Sequence, residues 1–350
     1  MSSHSYYNKE NHGDYELISI GDFELAEGGK IPNLQLAVRT LGTLNADKSN
    51  AILITTWFSG TSKIMEDAYV GAGRAIDPEK YFVIIINQIG NGLSTSPWNA
   101  DASISKNNFP YVRIEDDVKA QHKLLTEHFG IEKLELVMGG SMGAQQTYEW
   151  AVRFPDFMKR AAPIAGYAKN TDHDFVLART LIDTITMDPA YKDGNYDSIE
   201  SMKAALSRHG DIWNVMGYST EMWRKELWKA LGFEDAMSFS EGFTQAYFQP
   251  MDPNTLLRCA WKWQRGDVSR NTDGDLKAAL GRVKCKLYCM PIDEDMFFRL
   301  ADCKVEQEMI PNSEWKPIKC DWGHLGLFGM DPEYIQQVDD SLNELLALDL

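Results

Sequence analysis

The sequence predicts an α/β fold: a mostly parallel sheet with helices on both faces and a helical segment inserted into it. Three observations carry this expectation. Strand-like apolar runs at 81–87, 134–138 and 160–166 alternate with helical patterns at 114–129 and 144–154, the βαβ succession of a parallel sheet. A glycine-flanked serine, Ser141, sits where one of those strands turns into a helix. From 169 to 281 the pattern becomes helical and rich in Trp and Met with no convincing strand, and strand-like runs then resume at 286–292 and 314–319. The expected division is a sheet domain at 15–168 and 282–350, a helical cap at 169–281 and a flexible N-terminal tail at 1–14.

Residues 1–14 are polar and lack the apolar core of a signal peptide, so His4 and His12 are expected in solvent. Residues 16–25 and 34–44 read as two strands separated by Gly28-Gly29 and Pro32-Asn33, an antiparallel hairpin at a sheet edge. Residues 51–56 form a buried strand that ends in Trp57-Phe58-Ser59-Gly60-Thr61. The run 81–87 leads into Gln88-Ile89-Gly90-Asn91-Gly92. That loop lacks the third glycine of a dinucleotide fingerprint and the Gly-Lys-Ser/Thr of a phosphate loop, so it reads as a flexible loop at a strand's carboxyl end. Residues 114–129, closed by Gly130, lead into the strand before Ser141.

Gly139, Ser141 and Gly143 match G-x-S-x-G. In that elbow the turn is so tight that flanking side chains larger than hydrogen collide, and the serine is held in a strained conformation facing outward. A chance match in a glycine-bearing turn would lack context, whereas here a short apolar run precedes the motif and a helix without Gly or Pro follows it. The helix start aims its free N–H groups at the serine, which makes the Met142 N–H a candidate oxyanion donor. The loop after residues 51–56 lies where a second donor is needed, and the Phe58 N–H is the candidate. The Trp57 and Phe58 side chains fit equally well as packing over the sheet edge.

At 350 residues the chain can bury a large core, and 44% hydrophobic with 25% charged residues is ordinary for a globular protein. A net charge of −16 with no Lys/Arg run argues against nucleic acid and against anionic membrane surfaces as partners. The five cysteines form no paired C-x-x-C sets, which argues against a zinc site or a disulfide framework; Cys285 and Cys289 read as small core side chains. No run has the length needed to cross a bilayer, so a cytoplasmic location is the expectation, with no bound cofactor or metal.

A serine hydroxyl needs a histidine to take its proton, and the histidine needs a carboxylate to fix its tautomer. Strand 286–292 is followed by Asp293-Glu294-Asp295, and strand 314–319 by Asp321-Trp322-Gly323-His324, with a closing helix from 332 to 346. His324 is the expected general base. Asp293 and Asp295 compete for the acid; Asp295 is preferred because it precedes the apolar pair Met296-Phe297 that would lead the chain into its next helix. Cap side chains such as Trp213, Met216, Trp223, Trp228, Trp261 and Trp263 read mostly as core, a few as candidate substrate lining.

Taken together, Gly140-Ser141-Met142-Gly143-Ala144-Gln145-Gln146 with Glu149-Trp150-Ala151, Gly42-Thr43-Leu44-Asn45, Asn87 to Gly92, Asp252-Pro253-Asn254-Thr255-Leu256-Leu257 and Asp295-Met296-Phe297 resemble the homoserine O-acetyltransferase family of α/β-hydrolase-fold enzymes. The resemblance runs through nearly the whole chain. It implies the α/β-hydrolase fold and ping-pong acyl transfer through an acyl-Ser141 enzyme. It also implies acetyl-CoA or another acyl-CoA as co-substrate and, often, a homodimer. One position departs from the family. There the catalytic His is followed by an Asp that helps hold the substrate ammonium, whereas Leu325 follows His324, which argues against homoserine as acceptor.

The first functional expectation is therefore an acyltransferase moving an acyl group from a (thio)ester to a small hydroxyl acceptor. An esterase or thioesterase would use the same residues and give the acyl group to water. A binding protein that keeps the fold without the chemistry is disfavoured by the intact Ser, Asp and His set.

Overall fold

The computed structural model describes residues 4–350. Ten strands form among them: β1 (Glu16–Ser19), β2 (Phe23–Glu24), β3 (Lys30–Ile31), β4 (Gln35–Leu41), β5 (Ala51–Thr55), β6 (Phe82–Ile86), β7 (Leu134–Gly140), β8 (Met158–Ile164), β9 (Lys286–Cys289) and β10 (Ser313–Trp315). Eight make one sheet in the order β1-β4-β6-β5-β7-β8-β9-β10. From β6 to β10 every neighbouring pair is parallel, and β4 runs antiparallel to both β1 and β6. This is the α/β-hydrolase fold expected from the sequence. The central strand β5, Ala-Ile-Leu-Ile-Thr, is buried at all five positions, as a strand covered on both faces by crossover helices must be. Helices α1 (Lys9–His12), α2 (Ser62–Tyr69), α3 (Ile114–Glu127) and α4 (Met142–Arg153) precede or connect these strands.

Between β8 and β9 lies a helical insert that begins with α5 (Asp172–Thr186) and α6 (Lys203–Met216) and includes the helix Pro253–Gln264. Asp252 caps that last helix by accepting the Thr255 N–H, with Pro253 at its first position, where a missing N–H costs nothing. No helix among the described residues is long and apolar enough to cross a membrane.

Several expectations differ from the structure. The loop at 88–92, expected to be flexible, is buried, because the Gln88 and Asn91 amides donate to the Trp57 and Gly60 carbonyls. The strands expected at 286–292 and 314–319 end at Cys289 and Trp315. The strand expected at 16–25 stops at Ser19, because Gly21 turns the chain at φ 77°, and Phe23–Glu24 pairs instead with Lys30–Ile31 in a separate two-stranded ladder. The N-terminal segment expected as a flexible tail is packed from residue 4 onward. Tyr7 is buried, stacks 6.0 Å from Trp98, and occupies the space a Cβ on Gly92 would need. His12, expected in solvent, is buried beside Thr61 with Nδ1 3.1 Å from its hydroxyl, and burial lowers its pKa to about 4. The segment's tyrosines supply apolar area that its polar average conceals.

Candidate active site

The β7–α4 junction presents Ser141 at φ 55°, ψ −123°, a conformation rare for a residue with a side chain. Its neighbours explain how this is held. A Cβ on Gly143 would meet the Thr55 carbonyl oxygen at 2.6 Å, and one on Gly139 would collide with the Thr55 hydroxyl. Glycine at both places lets α4 close onto β5, and Thr55 Oγ1 fastens the junction by donating to the Gly143 carbonyl at 2.8 Å. Ser141 N–H donates to the Ile164 carbonyl on β8 at 3.0 Å.

His324 stands near the start of the 3₁₀ segment Gly323–Phe328, after β10. Gly323 is at φ 65°, and a side chain there would press on the Ser219 backbone nitrogen at 2.7 Å. The His324 Nε2 lies 2.9 Å from Ser141 Oγ, and Nδ1 lies 2.7 Å from Asp295 Oδ2. All three residues are buried, at 3–5% exposure. Phe297 sets its ring edge-on to the imidazole at 4.8 Å, fixing its plane.

The structure separates the two candidate acids. Asp295 Oδ1 accepts the N–H groups of Phe297 and Phe298 at 2.7 and 3.0 Å, so the chain has turned and the other carboxylate oxygen is aimed at His324. Asp293 accepts the Cys320 N–H at 3.0 Å and holds the loop that leads to His324.

Around Ser141 a cavity of ≈ 490 Å³, its mouth included, is lined by Trp57, Phe58, Leu327 and Phe328 from the sheet side and by Trp213 and Phe248 among others from the insert. Among the described residues neither the Phe58 nor the Met142 N–H has a protein acceptor. The carbonyls beside Phe58 are held by buried amides. Gln146 Nε2 donates to Thr56 O at 2.8 Å and is itself oriented by Gln121, whose oxygen accepts the Trp150 indole N–H. Gln88 Nε2 donates to Trp57 O at 2.7 Å. A trans peptide points its N–H away from its carbonyl, so this bond, the shorter of two on Trp57 O beside that from the Gly60 N–H at 3.3 Å, helps set the direction of the Phe58 N–H.

Residues 59–209 match the family described as alpha/beta hydrolase fold. An ethyl acetate hydrolase of Pseudomonas veronii is 59% identical over 343 residues, covering 98% of each chain. The chain belongs to the α/β-hydrolase family. This α/β-hydrolase superposes with a TM-score of 0.98 on the solved structure of an acetylester hydrolase from Corynebacterium glutamicum, 56% identical, covering 99% of this chain and all of that one. A homoserine O-acetyltransferase of Methanobrevibacter ruminantium is 30% identical over 86% of this chain and 67% of its own length. The family resemblance read from the sequence therefore holds, at a lower identity than that of the esterases.

Of the insert's aromatic residues singled out in the sequence, Trp213 lines the cavity and Trp263 packs behind it, 5.9 Å from Phe58 and 5.6 Å from Phe297. Trp261 lies instead in a stack with Tyr111 and Arg265. Sequence reading missed the buried amides Gln88, Gln121 and Gln146 and the buried Lys262. Their signal was faint: polar residues at apolar-face positions of helical or strand-end patterns, which a sequence cannot distinguish from solvated ones.

Proposed function

We propose that this α/β-hydrolase is a serine carboxyl-ester hydrolase of small, uncharged esters such as acetates, working through an acyl-Ser141 intermediate. The observation that carries the reading is the cavity's chemistry. Its wall is aromatic and aliphatic, and among the described lining residues there is no carboxylate. Its hydroxyls are engaged with one another or with backbone: Tyr218 with Thr244 at 3.3 Å, and Tyr247 with Ser59 O at 3.2 Å. An acceptor carrying an ammonium group, such as homoserine, would be buried there without a counter-ion, at a cost of several kcal/mol. Leu325, next to His324, adds only an aliphatic surface. The esterase names of the relatives above 50% identity support the same direction.

In this mechanism Ser141 Oγ attacks the ester carbonyl as His324 Nε2 takes its proton, while Asp295 fixes the Nδ1–H tautomer and stabilises the imidazolium. The Phe58 and Met142 N–H groups receive the oxyanion. Collapse expels the alcohol, protonated by His324. Water, deprotonated by the same nitrogen, then releases the acid and restores the serine. The helical insert acts as a cap that shapes the cavity.

Acyl transfer to an alcohol, with an acyl-CoA donor, is the second reading; the resemblance to homoserine O-acetyltransferases favours it. The two separate in one assay. With ethyl acetate or 4-nitrophenyl acetate as donor, acetate should form at the same rate with and without homoserine, and acetyl-CoA should be a poor donor. Acetylated acceptor as the main product would establish transfer instead.

A further inference from the structure

Behind the candidate oxyanion hole lies a buried polar chain that the triad does not use. Lys262, on the insert helix Pro253–Gln264, is 1% exposed and has all three ammonium hydrogens engaged: with Gln88 Oε1 at 3.0 Å, Ile89 O at 2.7 Å and the carboxylate of Asp117 on α3. Asp117 is fully buried and also accepts the Ile89 N–H at 2.7 Å. Burial pushes its carboxyl upward and the Lys262 ammonium pulls it back. So the peptides of the loop after β6 are gripped by a buried ion pair that joins the insert to the sheet domain.

The consequence follows from donor and acceptor chemistry. An ammonium can only donate, so the Gln88 atom facing Lys262 must be the amide oxygen. A carbonyl can only accept, so the atom facing Trp57 O must be the amide nitrogen. Both ends force the same amide orientation, and Trp57 O belongs to the peptide that carries the Phe58 N–H. We propose that Gln88 and Lys262 are positioning residues that hold the Phe58 N–H toward the developing oxyanion, so that the insert helps to set the rate of the chemical step as well as shaping the cavity. The inference rests on the serine acyl chemistry proposed above.

A preorganised donor acts on the transition state more than on the bound ester, so its loss should appear in kcat. Gln88→Met removes the donor. Gln88→Glu, nearly isosteric, keeps an acceptor for Lys262 but turns an oxygen toward Trp57 O. Each should lower kcat for 4-nitrophenyl acetate about 100-fold while KM moves by less than about threefold. Affinity for a short trifluoromethyl ketone, whose Ser141 adduct places an oxyanion in the hole, should fall in parallel. Lys262→Met alone leaves the Asp117 carboxylate buried without a counter-charge and can unfold the chain, so it is paired with Asp117→Leu, which replaces the ion pair by apolar groups. The double variant should fold and show the same kcat and inhibitor losses. Folded variants with unchanged kcat and inhibitor affinity, or with raised KM at intact kcat, would overturn the proposal. The ketone adduct forms whether the acyl group is destined for water or for an alcohol, so failure of the hydrolase reading would show separately, as absent acetate release with the inhibitor losses still present.

Discussion

Two regions meet at Ser141 and are held by different means. The sheet rim fixes its groups through backbone and short polar contacts: glycines at 139 and 143 that let α4 touch β5, two N–H groups on one oxygen of Asp295, and the 2.7 and 2.9 Å bonds of His324. The insert holds its share of the cavity mainly by ring contacts. Trp213 stacks 5.5 Å from Phe58 and 5.5 Å from Phe248, and donates its indole N–H to His209 at 3.2 Å. Directional bonds tolerate little displacement, whereas packed rings exchange one shape for another at modest cost. Chemistry should therefore be sensitive at the rim and at the insert's buried ion-pair contact, Lys262, and selectivity adjustable at the insert's rings.

That contrast breaks most visibly at the nucleophile. Ser141→Ala should lower kcat by about 10⁶-fold without changing the unfolding midpoint; substantial ester turnover would mean that the rim does not carry the chemistry. Asp295→Asn should cost about 10⁴-fold in kcat through loss of the correct histidine tautomer. Asp293→Asn retains an acceptor for the Cys320 N–H and should cost less than about tenfold, so a reversed ranking would show that the loop contact matters more than the imidazole contact. Gly143→Ala forces a methyl against Thr55 O and should destabilise the protein by about 1–3 kcal/mol in denaturant titration, with activity falling as the elbow shifts. Trp213→Ala should leave acetate hydrolysis largely intact and raise kcat/KM for butanoate relative to acetate about tenfold. An even loss across all chain lengths would place Trp213 with the rigid rim.

Legibility in the sequence followed the same division. The strands flanking the nucleophile were readable because a parallel strand covered on both faces is a continuous apolar run, and the elbow because its glycines lie within two residues of Ser141. The observed β6 and α3 fall within two residues of their expected bounds. The preference for Asp295 over Asp293 came from the apolar pair beyond it, while the contact that settles the geometry, a turn tied by the Phe297 and Phe298 N–H groups, is three-dimensional. Lys262 illustrates what stayed hidden. A lysine on a helix is ordinarily solvated, and only folding brings Asp117 from a helix far earlier in the chain to within bonding distance. The packed N-terminal segment was hidden for a related reason, since the partners of Tyr7 and His12 lie at Trp98 and Thr61.

The central claim is that Ser141, activated by His324, is the group that takes the acyl chain. Labelling with a 4-nitrophenyl alkylphosphonate tests it most directly, with nitrophenol release followed by absorbance and the modified residue mapped by peptide mass spectrometry. One equivalent of phosphonate should attach to Ser141, all ester hydrolysis should disappear in step with labelling, and the labelling rate should collapse in Asp295→Asn. Attachment at another residue, or hydrolysis that survives complete labelling of Ser141, would contradict the account.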